Sequence, residues 1–297
     1  MSDVDGKFEA LGLHHGDYEA DILPSLGGSL GRLHWKGRSL LQSLFNPREV
    51  STKGPEDVAG FAMVPLAGRV RGGRFTWNGQ SYQLPTHPGE VHALHGNGWT
   101  SAWQVVSRKA SGITLQLEAR YGPFDFLAEQ SLELSSSGLE IELGVINASD
   151  YPLPFGLGYH PWFVRSPGAH VSFSSRRFWL EGPGGLPSDP ISLPPELDFS
   201  GGRTVPANWR NNAYEGWERM AQIAYPELNL TVTMTASQGL DWLMVYANPQ
   251  LDTFCLEPQS HLPGAHNLAN FDRRFGLVEL RPGEKMACRL KIRADDL

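Results

Sequence analysis

The sequence predicts an all-β fold, a β-sandwich or barrel built from many short strands. Three observations lead to this prediction. Apolar and polar residues alternate with period two along much of the chain, and 33 glycines with 22 prolines supply many turns. No window of about 11–18 residues keeps the apolar stripe of an amphipathic helix. At 297 residues the chain is long enough to bury a large core.

The predicted strands follow one another from the first residues to the last. Alternation is clearest where Leu139, Ile141, Leu143 and Val145 are separated by polar or small residues, which places one strand face on a core and the other in water. The same pattern predicts strands at residues 18–23, 30–35, 103–109, 113–118, 127–134, 228–235, 243–247 and 288–293. Turn residues separate several of them, at Gly27-Gly28, Lys36-Gly37, Asn78-Gly79 and Ser137-Gly138.

Two stretches, residues 46–60 and 182–216, lack strand patterning and are rich in loop-forming residues. Long loops in compact domains are more often functional than decorative. Strand patterning is alike on both sides of each stretch, and no shift in charge marks a boundary. We therefore expect one domain over residues 1–297.

Composition excludes several classes of function. The 25 Lys and Arg residues against 32 Asp and Glu give a net charge of −7, and no basic run offers a nucleic-acid surface. No apolar run is long enough to cross a bilayer, and the opening MSDVDGKFEA lacks the apolar stretch of a signal peptide. Cys255 and Cys288 lie in separate strand-like runs, so we expect two buried thiols in a reduced, cytoplasmic protein.

Four clusters of polar residues next to strand-like sequence could carry chemistry, and the first two contain Arg69 and His95. Arg69 lies between apolar residues in the run 64–70, where either a ligand or a structural salt bridge would supply the acceptors that a guanidinium needs. His95 is followed by glycine in HALHGNGW (92–99), which lets a ligand approach the backbone closely. With His92 and His87 it could suggest a metal site, but no ligand set of known spacing supports one.

The other two clusters contain His160 and Glu257. His160 precedes a proline and two aromatic residues, which fits a lined pocket as readily as a packed core. Glu257 follows an apolar run and directly precedes Pro258, which predicts a position at the end of a strand. A carboxylate there costs free energy unless it is paired or functional.

In order and spacing, these clusters resemble the aldose 1-epimerase (galactose mutarotase) family. The resemblance covers nearly the whole chain and is carried by MVPLAGRVRGGRF (63–75), HALHGNGW (92–99), the histidine at 160, CLEPQSHLPGAHN (255–267) and RPGEKMACRLKI (281–292). It implies a large twisted antiparallel β-sandwich, the galactose mutarotase-like supersandwich. It also implies an open sugar-binding cleft without cofactor or metal.

The resemblance implies a role for each cluster. Glu257 would be the general base and His160 the general acid of an aldose 1-epimerase that interconverts the α and β anomers of a free aldose. Interconversion removes a proton from the C1 hydroxyl and delivers one to the ring oxygen, so a carboxylate and an imidazole suffice. The residues implied on the sugar-binding side are His95, Arg69, Asn211 and Gln259. Four aromatic residues near the motifs could cover the apolar face of a pyranose, although core packing is expected for most of them: Trp99, Trp162, Trp217 and Tyr159.

The sequence departs from the family pattern at two positions. Asn211 stands where members resembling this chain carry an acidic residue, in a stretch that reads NNAYEGW here. An amide still accepts a hydrogen bond, but the charge-assisted bond, worth roughly 1.5–3 kcal/mol, is lost. Gly68 stands where the family has an asparagine before the arginine. Both changes affect binding, so the identity of the sugar stays open.

Three alternatives remain at this point, and all keep a carbohydrate ligand. A hexose 6-phosphate 1-epimerase would need a cationic cup, for which Arg71 and Arg74 are candidates, although both also fit a solvated hairpin face. A non-catalytic sugar-binding protein would not need an acid–base pair. A glycoside hydrolase would need a second carboxyl group, and Asp252 and Glu279 lie outside any comparable motif. Nucleic acid and membrane are not expected as partners, and the chain could be a monomer or a homodimer.

Overall fold

The computed structural model describes residues 9–43, 57–268 and 273–297. Most of the predicted loop 46–60 and the first eight residues of the opening segment lie outside the described residues. The strands of the first half are β1 (Leu11–His15), β2 (Tyr18–Leu23), β3 (Ser29–Trp35), β4 (Arg38–Ser39), β5 (Gly60–Met63), β6 (Arg69–Val70), β7 (Arg74–Trp77), β8 (Gln80–Gln83), β9 (Ala93–Leu94), β10 (Gln104–Lys109), β11 (Gly112–Tyr121), β12 (Phe124–Ser135) and β13 (Gly138–Asn147).

The second half continues the all-β pattern. Its strands are β14 (Leu153–Phe155), β15 (Gly158–Val164), β16 (His170–Phe173), β17 (Arg177–Glu181), β18 (Pro187–Ser192), β19 (Arg203–Thr204), β20 (Arg210–Glu215), β21 (Met220–Tyr225), β22 (Leu230–Ala236), β23 (Trp242–Ala247), β24 (Thr253–Gln259), β25 (Val278–Leu280) and β26 (Lys285–Asp295). Within the described residues the helices are three-residue 3-10 turns: Arg71–Gly73, Gly98–Thr100, Pro183–Gly185, Pro195–Leu197, Pro226–Leu228, Ala265–Asn267 and Arg273–Phe275.

Two large antiparallel sheets contain most of these strands. The 11-stranded sheet has the order β1-β2-β3-β5-β15-β24-β23-β20-β17-β18, with β4 paired to β3. The nine-stranded sheet has the order β10-β11-β12-β13-β26-β22-β21-β16-β19. Small two-stranded ribbons join β14 to β25, β6 to β9 and β7 to β8. The predicted all-β antiparallel sandwich is thereby confirmed.

The central strands of the 11-stranded sheet are buried on both faces. On β15, Tyr159 and Phe163 belong to the apolar core shared with the other sheet. The residue after Tyr159 is His160, which lines a cavity on the opposite face. On β24, Leu256 belongs to the core and Glu257 lines the same cavity. Because successive side chains of a strand point to opposite faces, one face builds the core and the other face builds a site.

The prediction that residues 182–216 form an extended loop is wrong in part, because this stretch contains β18, β19 and β20. Strand β18 contains two prolines and lies at the edge of the sheet, where a missing backbone N–H is tolerated. Strand β20 is polar in sequence yet mostly buried, because part of it faces the cavity. Prolines and polar residues therefore concealed strands that alternation alone could not reveal.

Two smaller predictions can be compared with the structure. Cys255 and Cys288 are both buried thiols, as expected. Across the described ranges, the structure holds no helix of sufficient length and apolar character to span a bilayer.

Candidate active site

His160 and Glu257 face each other across two paired central strands. The register of β15 and β24 pairs Gly158 with Gln259 and Trp162 with Cys255, which brings His160 opposite Glu257. Their side chains are in contact, with 3.3 Å between His160 Nε2 and Glu257 Oε1. Only 7% of His160 and 3% of Glu257 is exposed. Strand register, rather than a loop, therefore sets the geometry of this pair.

The prediction that Glu257 ends its strand is wrong, because β24 continues through Pro258 to Gln259. Pro258 pairs in register with Leu243 of β23 and stays inside the strand. The pairing of β24 with β15 is interrupted between the pairs Gly158–Gln259 and Trp162–Cys255. Pro161 and Pro258 lie in this interval and lack N–H donors. The two prolines thus directly follow His160 and Glu257, at the point where those side chains meet.

Burial shifts the pKa of both groups in the pair. It raises the pKa of Glu257 to about 8, although the Arg69 charge and a hydrogen bond from Gln259 lower it. Burial, with a smaller contribution from Arg69, lowers the pKa of His160 to about 3. Both shifts disfavour charge, which favours a single proton held on the Glu257 carboxyl beside a neutral imidazole. A raised pKa makes the ionised Glu257 carboxylate a stronger base.

Aromatic rings and an amide hold the pair in place. Phe61 of β5 is the cross-strand partner of His160, and the two rings stack with centroids 4.6 Å apart. Trp162 stacks near the imidazole, at 5.0 Å. Gln259 Nε2 donates to Glu257 Oε2 over 3.0 Å. The predicted binding residue Gln259 therefore contacts the carboxylate directly and also lines the cavity.

Arg69 belongs to the ribbon of β6 and β9, which pairs it with Leu94, and His95 directly follows β9. The Gly68 carbonyl accepts a hydrogen bond from the His95 backbone, and the Gly68 N–H donates to His95 Nδ1 over 3.1 Å. This contact leaves Nε2 as the nitrogen of the imidazole that faces the site. His95 has a φ of 55°, a left-handed conformation that non-glycine residues seldom adopt and that recurs at functional sites.

The Gly68 departure from the family pattern has a steric explanation. Its φ is +65°, and a Cβ built there would lie 2.6 Å from Pro263 Cβ. The space that an asparagine side chain would enter is therefore filled by a proline that itself lines the cavity.

Within the described residues the Arg69 guanidinium makes no hydrogen bond or ion pair, so nothing there supports a purely structural salt bridge. Arg69 lines the cavity together with His95, His160 and Glu257. Glu257 is the single carboxylate among the described residues that line it, and the cavity volume is about 150 Å³. Pockets for drug-sized ligands are larger, about 300–1,000 Å³, so this one suits a small polar molecule.

Asn211 lies in β20 and lines the cavity, as the resemblance implied. Its Nδ2 donates to Glu181 Oε1 over 2.8 Å and to the Gly185 carbonyl over 3.4 Å. A Cβ built at Gly185 would lie 2.9 Å from Asn211 Nδ2 and 3.4 Å from Arg69 Nη1. Glycine at position 185 therefore allows the 183–185 turn to pack directly on two cavity residues.

Sequence patterns did not single out several residues that line or adjoin the cavity. Met244 and Tyr246 of β23 line the cavity, and strict alternation along residues 243–247 could have indicated their shared face. Glu181, which contacts Asn211, lies in no motif and gave no signal. Of the aromatic residues considered, Trp162 lines the cavity. Trp99 packs on His95 from behind, whereas Trp217 and Tyr159 belong to the core.

Other candidate groups lie elsewhere or fit the cavity less well. His92 accepts from the Gly72 N–H, and His87 contacts the Leu94 and Gly96 carbonyls, so the histidine set considered for metal does not converge. Ligand atoms of His95, His160 and Glu257 do lie within 4.8 Å of one another. The Arg69 charge in the same cavity opposes a divalent cation there, so these groups suit a neutral hydroxylated ligand better.

The residues proposed for a phosphate cup or a second carboxyl group do not line this cavity. Arg74 is exposed and donates to Gln83 Oε1, and Arg71 is exposed on the neighbouring turn. Glu279 lines a separate, larger cavity of about 1,110 Å³, bordered by the β7–β8 ribbon. Asp252 is absent from the described lining of the cavity that contains Glu257.

The fold and the site together define a galactose mutarotase-like β-sandwich with a polar cavity on one sheet. The model of the family described as aldose 1-epimerase matches residues 9–293. The chain belongs to the aldose 1-epimerase family.

Individual relatives agree with this assignment. The uncharacterized protein YphB of Escherichia coli K12 is 32% identical over 95% of this chain and 98% of its own length. A galactose mutarotase-like protein of Clostridium acetobutylicum superposes with a TM-score of 0.88 at 21% identity, covering 100% of this chain and 98% of that one. Galactose 1-epimerase of Lactobacillus acidophilus gives a TM-score of 0.78 at 18% identity over 97% and 94%. The last two comparisons concern the fold alone.

Proposed function

We propose that this protein is a cofactor-independent aldose 1-epimerase, which interconverts the α and β anomers of a free aldose. The observation that carries the proposal is the buried contact between His160 Nε2 and Glu257 Oε1 in a small polar cavity. A carboxyl group and an imidazole in contact can exchange one proton through a bound molecule. Simple binding of a sugar does not require such a pair.

The reaction follows from the positions of these two groups. Glu257 takes the proton from the C1 hydroxyl, and the bond between C1 and the ring oxygen breaks with its electron pair going to that oxygen. The ring oxygen takes a proton from His160, which leaves an open-chain aldehyde. After rotation about the C1–C2 bond, the same oxygen attacks the other face of C1, and both protons return. Each such proton transfer typically contributes about 10²–10⁴-fold to the rate.

Burial favours the charge state that ring opening produces. The step starts with a carboxylate and an imidazolium and ends with a carboxyl group and a neutral imidazole. The latter state is the one that desolvation favours in this cavity. Sugar hydroxyl groups that donate to the Glu257 carboxylate would stabilise the starting state, because they replace part of the lost solvation.

The binding side of the proposal uses the remaining polar groups of the cavity. Arg69 and His95 Nε2 would donate to the ring oxygen and hydroxyl groups of the sugar, and Asn211 and Gln259 would contact further hydroxyls. Trp162 would cover an apolar face of the ring. A hexose 6-phosphate is less well supported, because Arg71 and Arg74 are absent from the cavity lining. Two buried thiols support a reduced, cytoplasmic location. The proposal also includes a single domain, in a protein that is a monomer or a homodimer.

Polarimetry on freshly dissolved α-D-glucose and α-D-galactose tests the proposal. The wild-type protein should accelerate mutarotation above the spontaneous rate, and Glu257→Gln should lose at least about 10²-fold of the enzymatic rate because the base is gone. Glu279→Gln is the matched control, since its carboxyl group lines the other cavity. Dialysis against EDTA should leave the rate unchanged.

The contradicting outcomes are distinct. A Glu257→Gln protein with wild-type turnover would show that another group is the base. Loss of activity in EDTA, restored by a divalent metal, would reassign His95, His160 and Glu257 to a metal site. Calorimetric titration of Glu257→Gln with the active sugar should still detect binding, which separates loss of chemistry from loss of fold.

A further inference from the structure

Two neighbouring strands bring a second carboxylate close to the cavity. Strands β17 and β20 pair Arg177 with Glu215 and Phe178 with Tyr214. Further along the same two strands, the side chains of Glu181 and Asn211 are in hydrogen-bond contact at 2.8 Å. Glu181 itself is absent from the described lining of the cavity, so it reaches the site only through Asn211.

The contacts of Asn211 determine which end of its amide faces the cavity. A carboxylate oxygen accepts and cannot donate, so the atom that contacts Glu181 Oε1 is the NH₂ group. The Gly185 carbonyl also accepts from this NH₂ group. With its hydrogens directed to these acceptors, the side chain presents Oδ1, which accepts hydrogen bonds, to the cavity.

The other oxygen of Glu181 is also held. The indole nitrogen of Trp209 donates to Glu181 Oε2 over 2.7 Å. The carboxylate is therefore fixed at both oxygens, and its charge lies directly behind the position where the family pattern has an acidic side chain. A second carboxylate at position 211 would meet that charge at hydrogen-bond distance, which is strongly unfavourable.

We infer that Glu181 is a positioning residue that orients Asn211 as a hydrogen-bond acceptor for a sugar hydroxyl. The inference rests on the proposed function and adds a specificity element to it. The Glu181–Asn211 pair takes the place of a single acidic residue. Asn211 faces the ligand, and the negative charge lies behind it on Glu181. The ligand it suits is a neutral sugar with a hydroxyl group at that point, and a sugar lacking that hydroxyl should lose the contact.

A double-mutant cycle tests the inference. Asn211→Asp should raise KM by roughly tenfold or more, because the new carboxylate meets Glu181. Glu181→Gln should have a smaller effect, because its one amide oxygen can still accept from Asn211 and only the contact with the exposed Trp209 indole is lost. The double variant Glu181→Gln/Asn211→Asp should recover most of the wild-type KM, because the introduced amide can donate to the introduced carboxylate. The effect should fall more on KM than on kcat, since His160 and Glu257 are untouched.

Two further measurements make the result independent of turnover and identify the hydroxyl. The midpoint of thermal unfolding at pH 7 should fall in Asn211→Asp and recover in the double variant. Among mono-deoxy analogues of the active sugar, one should have a KM that no longer responds to Asn211→Ala. Glu215→Gln is the matched control, because Glu215 also accepts from an indole, that of Trp179, but has no bond to Asn211.

The outcomes separate the two hypotheses. If the wild type catalyses mutarotation but the double variant does not recover its KM, the role of Glu181 is overturned. The same holds if the Asn211→Asp protein binds the sugar more tightly than the wild type. Rescue of the unfolding midpoint, without acceleration of any sugar by the wild type, overturns the proposed function and leaves the pairing of the two side chains intact.

Discussion

The two halves of the candidate site are built in different ways. His160 and Glu257 lie on adjacent central strands of the large sheet, and strand register fixes their contact. Arg69 lies on a ribbon of two residues per strand, and His95 directly follows that ribbon in a left-handed conformation, in contact with Gly68. The proposed proton-transfer groups therefore depend on the sandwich, whereas the predicted sugar-binding groups depend on a few local contacts.

This difference shows how chemistry and specificity can vary separately in one fold. A change in the pair would disturb strands that are buried on both faces. A change in the ribbon or in the turn at 183–185 alters what the cavity holds without altering the sheet. Both departures from the family pattern, Gly68 and Asn211, fall outside the pair, in agreement with this division.

The largest expected effect on the ribbon side comes from Arg69→Ala. Loss of a charged donor should lower kcat/KM by about 10- to 150-fold, the equivalent of one charge-assisted hydrogen bond. Much of this decrease should come from a higher KM. Steady-state polarimetry with the active sugar measures it, and His95→Ala should behave similarly. If either variant lost kcat alone with KM unchanged, the ribbon would belong to the proton-transfer machinery and the division would fail.

The pH dependence should identify the pair as one titrating unit. It holds its single shared proton between apparent pKa values of about 3 and about 8. Above pH 8 that proton is lost, so kcat/KM should fall about tenfold per pH unit; below pH 3 a second proton is gained and activity falls again. The spontaneous rate is subtracted at each pH. A decline that begins between pH 5 and pH 7 would contradict this protonation scheme.

A smaller effect is expected from Gly68→Asn, which restores the family residue. The side chain would collide with Pro263 in a left-handed backbone, so the free energy of unfolding should fall by about 1–3 kcal/mol. Urea denaturation measures this, and Pro263→Ala added to Gly68→Asn should recover part of the loss. Gly72→Asn is the control, since its φ is also positive and no atom lies within 4 Å of its built Cβ. Equal losses at both positions would show that the backbone, and not Pro263, is responsible.

The smallest effect is expected from Arg71→Ala and Arg74→Ala. Both side chains are exposed and absent from the cavity lining, so kcat/KM for a free aldose should stay within about twofold of the wild type. The same variants assayed with glucose 6-phosphate test the phosphorylated alternative. A loss confined to the phosphorylated sugar would show that these arginines form a cationic cup after all.

Much of the fold could be predicted because alternation survives wherever a strand has one apolar face, as at 139–145. It fails at β18, where prolines occupy an edge, and at β20, where a polar residue, Asn211, lines the cavity. The motifs predicted residues that line the cavity, but local sequence did not predict where these residues lie within the strands. Pro258 predicted the end of a strand that in fact continues, and no local pattern indicated the contact between Glu181 and Asn211.

Alternation along β15 and β24 has a consequence for how this family can evolve. Tyr159 adjoins His160, and Leu256 adjoins Glu257, with each neighbour facing the opposite side of the sheet. Deleting one residue upstream in either strand would bring a proline, Pro161 or Pro258, into the cavity position and push an ionisable group into the core. Insertions and deletions are therefore excluded from these strands, and inherited length variation should be confined to the connections between them.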